Sequence, residues 1–329
     1  MLRRVIKALF TIFFITSLVF FIVRLMPGNP VDIYISQLII EESMSYTQAR
    51  DQAAALFQLD FSKPVLLQYV DYLVNLLQGN LGQSFRSKGT PAADIIFKYL
   101  PWTLFCVGSG LVFSFVIGLL LGMVAGFKRN SPLDIGISSL AALVGAIPNY
   151  LIAIMFIVVM GSVLNILPFA KIRGSLSPGV QPEFSLNFVQ DVLFHAWVPI
   201  LIYVLSTVGN WVLLMKSSTT STLEEDFVTV ARARGLKERR ILTQYVGRNA
   251  MLPLVTQLAI SIGFVVAGSF AIETLFVYQG VGALLLQSIQ ARDYPVVQGI
   301  VLIITVTVVT ANLLVDLLYS RLDPRIRVR

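Results

Sequence analysis

Residues Trp102 to Gly126 read WTLFCVGSGLVFSFVIGLLLGMVAG, an apolar stretch without a single Asp, Glu, Lys or Arg. A bilayer hydrocarbon core about 30 Å thick is crossed by roughly 20 apolar residues of helix, so this stretch predicts a transmembrane helix. Within it Gly110, Ser114, Gly118, Gly122 and Gly126 recur every fourth residue and fall on one face. In lipid no hydrophobic force drives helices together, and small residues at that spacing let two backbones approach closely. The face predicts tight packing against a neighbouring span.

Outward from this segment, further long apolar runs lie near 8–26, 135–161, 197–215, 251–272 and 296–318. The 329 residues are 56% hydrophobic and only 13% charged, with a mean hydropathy of +0.78. That is too little charge to cover a soluble body of this size. The expected fold class is all-α, a polytopic membrane protein with six transmembrane helices.

The first run follows Arg3, Arg4 and Lys7 and ends at Pro27-Gly28-Asn29-Pro30 with no small-residue cleavage site, so residues 1–26 read as a retained signal anchor. Sixteen of the 25 Lys and Arg fall in segments 1–7, 127–133, 216–249 and 321–329. Basic residues are held on the cytoplasmic side during insertion, which predicts that both termini are cytoplasmic. The net charge of +7 follows from this topology and does not require nucleic-acid binding. Cys106 is the single cysteine and cannot form an intrachain disulfide. No metal-ligand or catalytic constellation is expected: His195 is the one histidine, read as a wet interfacial residue, and no G-x-S-x-G or H-E-x-x-H stretch occurs.

Three regions follow: the anchor 1–26, an extracytoplasmic helical cap 27–100, and a five-helix core 101–329 with a cytoplasmic segment 216–249. In the cap, Ser62 and Pro64 open a helix with Val65, Leu66, Tyr69, Val70, Leu73, Leu76 and Leu77 on one broad face, and Gly79 ends it. Thr90, followed by Pro91 and Asp94, is read as the cap of a second helix. Such apolar faces suit either a lid on the membrane lipid or a docking surface for an extracytoplasmic partner. Pro148 is expected to kink the third span.

The segment between spans four and five carries the densest signals. Thr222 and Glu225 fit a capping box, Glu224, Glu225 and Asp226 suit the positive end of a helix dipole, and Arg232 and Arg234 suit its negative end. Gly235 supplies a left-handed terminating residue, and Leu223, Phe227, Val230 and Ala231 form one apolar face. The expectation is a short rigid helix, with Glu225, Asp226, Phe227, Val230, Ala231, Arg232, Ala233, Arg234 and Gly235 as candidate site residues.

Here the sequence resembles a known family. Asp226 to Gly235 (DFVTVARARG), continued by Arg239-Arg240-Ile241-Leu242 and Arg248-Asn249-Ala250-Met251-Leu252-Pro253, looks like the coupling-loop signature of binding-protein-dependent ABC importer permeases of the dipeptide/oligopeptide group. Other blocks agree in order: Arg24 to Pro30, Leu81-Gly82-Gln83-Ser84, Leu100-Pro101-Trp102-Thr103-Leu104, Glu273-Thr274-Leu275-Phe276, Gly280-Val281-Gly282, Ala291 to Gly299, and Asn312, Asp316, Tyr319 with Asp323-Pro324-Arg325. Tyr245 stands where the family often has His, and Gln279 where Pro is common.

The resemblance implies a type I ABC importer permease fold in a bacterial or archaeal cytoplasmic membrane. It also implies a second related permease subunit, two cytoplasmic ATPase subunits and an extracytoplasmic solute-binding protein. No G-x-x-x-x-G-K-[ST] stretch occurs, so ATP and Mg are expected to be used by the partner ATPases and no cofactor is bound directly. Di- or oligopeptides are the expected cargo, with oligosaccharides or nickel complexes as the alternative. Polar residues within the spans are read as a possible translocation path or as ordinary helix contacts: Ser206, Asn210, Gln257, Ser261, Gln298, Thr305 and Asn312, with Ser269 and Asp316 beside them.

Overall fold

A computed structural model describes residues 2–25, 30–41, 43–57, 64–87, 89–183 and 185–322. Ser62, the Met26 to Asn29 turn and the Asp323-Pro324-Arg325 block lie outside the described residues. The helices are α1 (Leu2–Leu25), α2 (Pro30–Glu41), α3 (Tyr46–Phe57), α4 (Val65–Leu77), α5 (Ala92–Phe127), α6 (Pro132–Ala146), α7 (Asn149–Phe156) and α8 (Phe169–Ile172). They continue as α9 (Leu186–Leu223), α10 (Asp226–Ala233), α11 (Glu238–Arg240), α12 (Arg248–Val265), α13 (Phe270–Leu275), α14 (Val281–Gln290) and α15 (Tyr294–Leu322). Wider π-helical turns extend α7 over Ile157–Val163 and lead into α12 over Ile241–Gly247.

Five helices are long and apolar enough to cross a bilayer, and the pair α6 and α7 makes a sixth crossing if counted as one span. The bundle is organised on α5 and α9. A methyl added at Gly110 would lie 2.6 Å from the Tyr203 ring, at Gly118 2.2 Å from Trp211 Cβ, at Gly122 2.4 Å from the Val212 carbonyl, and at Gly126 2.7 Å from Thr219 Cβ. The stripe of small residues thus meets α9 along its whole length, as the spacing predicts. Beside this seam Val107, Leu111, Trp211, Met215, Ala250, Leu254 and Val265 join α5, α9 and α12 in one buried cluster. α9 repeats the device on another side, where Gly209 leaves only 2.2 Å between an added methyl and the Ala141 carbonyl of α6.

The third span departs further from a straight helix than the expected kink. α6 and α7 meet at 95°, with Ile147 and Pro148 extended between them. Proline lacks an N–H and its ring clashes with the preceding turn, so the chain stops one helix and starts another with Pro148 as the first cap. The fifth span is displaced towards the N-terminus, running over Glu238–Val265 rather than 251–272. It ends at Val265, Gly268 adopts φ +70, and Ser269 belongs to the start of α13 rather than to the span.

In the cap, Tyr34, Ile35, Leu38, Ala49 and Ala53 form a small core between α2 and α3. Thr90 is not a helix cap. Its N–H donates to the Ser87 carbonyl and its own carbonyl accepts from the Ser84 N–H, so Pro91 takes the capping position and α5 runs unbroken from Ala92 into the second span. The expected end of α4 is present, with Gly79 at φ +78.

Gly136 on α6 has open space where a methyl would go, unlike Gly118. Gly118→Val is therefore expected to destabilise the purified protein by about 1–3 kcal/mol through overpacking. Gly136→Val should leave the thermal unfolding midpoint in detergent nearly unchanged.

Candidate functional site

α10 is held by one face and bare on another. Val228 and Ala231 are buried against Ile241 and Val246, with Leu223, Leu236 and Tyr245 around them. Phe227 and Val230, expected on that packed face with Leu223 and Ala231, are instead 38% and 56% exposed. The reason is helical phase: Val228 and Ala231 are three apart and point at the π-helical turn, while Phe227 and Val230 form a neighbouring edge. The helix thus turns a small apolar ridge outward, flanked by the exposed Glu225, Asp226, Arg232, Ala233 and Arg234.

The expected capping box does not form. α9 continues through Thr222, whose Oγ1 donates to the Ser218 carbonyl 2.8 Å away, and Glu225 stands at the cap of α10 without a side-chain cap bond. The end of the helix does follow expectation. Gly235 has φ +70, its N–H donates to the Arg232 carbonyl, and the Leu236 N–H donates to the Ala231 carbonyl. Left-handed backbone at this point satisfies the last carbonyls, and glycine adopts it without strain. Arg232 Nε reaches Glu238 Oε1 at 3.3 Å, tying the helix to α11.

Two ion pairs join this end of the bundle. Lys216 on α9 pairs with Asp134 on α6 at 2.5 Å and donates to Ser138 Oγ at 2.8 Å. Asp134 is buried and also accepts from the Asn130 N–H and Ser138 Oγ. Arg129 meets Glu224 at 2.6 Å, both half exposed, which adds at most about 1 kcal/mol. Ser218 Oγ donates to the Ala250 carbonyl, so α9 and α12 are also linked beside α10.

The polar residues of the spans differ in exposure. Gln298 and Thr305 of α15 are buried, whereas Asn312, Gln257 and Asn210 are exposed and Ser206 and Ser261 are half-buried. Thr305 Oγ1 donates to the Val301 carbonyl and Ser206 Oγ to the Tyr203 carbonyl, each within its own helix. Asn210 lies beside Gly145 of α6, close to the α6–α9 contact. Ser269 Oγ accepts from Asn149 Nδ2 at 3.4 Å. Asp316 is on α15, but its side chain lies outside the described residues.

At the other end of the bundle stand two buried carboxylates that sequence reasoning did not single out as site residues. Glu273, 1% exposed, accepts from Thr103 Oγ1 at 3.0 Å, the Ala283 N–H at 2.9 Å and the Ser269 N–H at 3.4 Å. Burial pushes its carboxyl above the usual carboxylate range, while the bonds from Ala283, Thr103, Ser269 and Gly282 pull the other way. The Val281 N–H donates to Thr103 Oγ1 at 2.7 Å, closing the ring onto α5. Gly268, Gly280 and Gly282 crowd the carboxylate so closely that a methyl on any of them would collide with it. An acid set among three glycines within fifteen residues was the available signal.

Asp293 is the second carboxylate. It accepts from Ser84 Oγ, from the Phe85 N–H at 3.0 Å and from the Arg86 N–H at 3.3 Å. Blocks noted separately in the sequence thus meet in space: Leu81 to Ser84 on Asp293 to Pro295, and Thr103 on Glu273 to Gly282. Two further contacts close this end. The Gln279 N–H donates to Ser175 Oγ at 2.7 Å, a bond that a proline at 279 could not make. His195 is fully buried rather than wet, with Nδ1 2.8 Å from the Asp191 carbonyl, because α9 begins well before it at Leu186.

Comparison with known proteins agrees with this architecture. Residues 118–328 match the family described as binding-protein-dependent transport system inner membrane component. A protein of Brucella suis biovar 1 (strain 1330), provisionally named a peptide permease, is 35% identical over 99% of this chain and 98% of its own. The di/tripeptide transport system permease protein DppB of Pseudomonas aeruginosa (strain UCBPP-PA14) is 31% identical over 96% of this chain and 95% of its own. The nickel import system permease protein NikB of Staphylococcus aureus (strain bovine RF122 / ET3-1) is 32% identical over 100% of this chain and 92% of its own.

Removal of the Glu273 carboxylate would leave several buried donors without an acceptor, at about 1–3 kcal/mol for each orphaned group. Glu273→Ala is expected to lower the unfolding midpoint well below that of wild type. Glu273→Asp, which keeps the carboxyl group on a shorter stem, should recover part of the loss in the same thermal assay.

Proposed function

Because the chain belongs to the dipeptide/oligopeptide permease family of binding-protein-dependent ABC importers, we propose that it carries di- or oligopeptides across the cytoplasmic membrane when driven by ATPase subunits that grip α10. As a member of that family it is a multi-pass cytoplasmic membrane protein and works with other components of an ABC transporter. The finer assembly is our reading: a second related permease, two cytoplasmic ATPases that use ATP and Mg, and an extracytoplasmic binding protein that delivers the cargo. In this reading both termini and segment 216–249 are cytoplasmic and residues 27–100 are extracytoplasmic.

The observation that carries the proposal is the division of α10 into an anchored and a bare face. Val228 and Ala231 fix the helix to the turn that leads into α12, and Phe227 and Val230 offer an apolar ridge to a partner. A short helix so anchored passes a push to the spans as a rigid body. α9 ends at Leu223 only two residues before α10, and it is joined through Lys216 and Asp134 to α6. A displacement of α10 is therefore delivered to α9, α6 and α12 together. Peptides are the favoured cargo because a relative named as a peptide permease reaches 35% identity over 99% of the chain, against 32% for the nickel permease, which spans it as fully.

The test is reconstitution of the chain with its partner subunits in proteoliposomes, with ATP hydrolysis and uptake measured together. Labelled di- and tripeptides should accumulate only with ATP and the binding protein. Accumulation of nickel instead of peptide would move the cargo assignment to the second class. Gly235 has open space around it, so only its left-handed backbone resists substitution, and valine there costs about 1–2 kcal/mol. Gly235→Val is expected to cut uptake by about tenfold, the equivalent of 1.4 kcal/mol, while ATP hydrolysis continues. Unchanged uptake at normal expression would count against α10 as the lever.

A further inference from the structure

α4 shows three faces. Tyr69 and Tyr72 turn towards α1, with ring centroids 5.2 Å and 5.0 Å from Phe20, and the Tyr69 hydroxyl is 2.6 Å from Ser17 Oγ. A second stripe, Leu66, Val70, Val74 and Leu77, is bare, with Leu66 70% and Leu77 90% exposed. On the other edge the polar Asp71 and Asn75, four residues apart, are exposed as well. Apolar and polar stripes on one short helix are the pattern of a helix lying at a membrane surface.

The contact with Ser17 sets its depth. α1 is free of charge from Ala8 to Val23, and Ser17 lies seven residues before Arg24. At 1.5 Å per residue this is about 10 Å down the helix axis, inside the apolar part of the span. A tyrosine side chain is shorter than that drop, so the backbone of α4 at Tyr69 lies below the level of Arg24. On α1, Leu18 beside Ser17 and Ile22 one turn above it are also exposed, both below the level of Arg24.

We propose that α4 is an interfacial helix, seated at the boundary between headgroups and acyl chains with the Leu66 to Leu77 stripe in contact with phospholipid acyl chains. Lipid is favoured over a protein partner because Tyr69 and Tyr72 seat α4 against Ser17, Phe20 and Phe21 of α1, an apolar membrane span whose Leu18 and Ile22 are bare at the same depth. Asp71 and Asn75 lie exposed on the opposite edge, and the tyrosines sit where aromatic side chains with polar tips are enriched in membrane proteins.

The test uses the full transporter in vesicles of phosphatidylethanolamine and phosphatidylglycerol, with nitroxide labels at Leu66→Cys, Val70→Cys, Asp71→Cys and Asn75→Cys. Cys106 is buried and does not compete for label. The ratio of oxygen to water-soluble nickel-chelate collisions should be severalfold higher at 66 and 70 than at 71 and 75. Ratios at 66 and 70 as low as those of a water-exposed site would put the stripe in water and overturn the proposal. Shielding of 66 and 70 from both reagents would place a protein partner there and overturn it equally. If a labelled variant does not assemble, Val70→Trp gives the same reading: the emission it adds over the parent protein, which has Trp102, Trp197 and Trp211, should be quenched by acyl-brominated phospholipid, and an unquenched added signal would reject the lipid contact.

Discussion

In a bilayer, helices gain nothing by hiding apolar surface from one another, so their association rests on fit. α5 and α9 achieve it by removing side chains from the seam: at Gly118, Gly122 and Gly126 the surface of α5 is backbone, and α9 lies directly on it. Two helices packed at that distance cannot slide without collision, so they move as one body. α6 is attached to the same body through Gly209 and through Lys216 with Asp134. Conformational change then falls to the joints, one of which is the 95° bend between α6 and α7.

The two ends of this body are finished differently. At the end that carries α10, the helix is anchored by Val228 and Ala231 while Phe227 and Val230 remain open. At the opposite end, carboxylates are sealed inside with backbone donors around them, and neighbouring segments are locked to Thr103 and Ser84. A buried carboxylate is costly unless its oxygens are satisfied, so these sites hold their loops in one arrangement. The contrast suits a machine driven from one side and shaped on the other.

Much of the fold was legible in the sequence wherever the cause was local. The number of long apolar runs, the four-residue glycine spacing, the interruption at Pro148 and the left-handed Gly235 each depend on residues within a few turns. What escaped depended on distant partners. Glu273 looks like an ordinary acid until Thr103 is brought to it from 170 positions away. His195 looked interfacial because the start of α9 was placed too late, and Thr222 looked like a cap because α9 was taken to end too early. At the candidate site the helix and its termination were readable, but not which apolar residues pack inward. That choice is made by Ile241 and Val246, beyond the end of α10.

The bond between Ser84 and Asp293 bridges 209 positions of chain. A ribosome working at ~5–20 residues per second needs about 10–40 s to make the second partner after the first. During that interval the turn at 84–87 has no carboxylate to hold it, and Thr103 likewise awaits Glu273. The early-made half of the protein is thus inserted with its rim unfinished, and the last stretch to emerge is what completes it. A chain cut short before Asp293 would carry most of its apolar spans and still leave that rim unassembled.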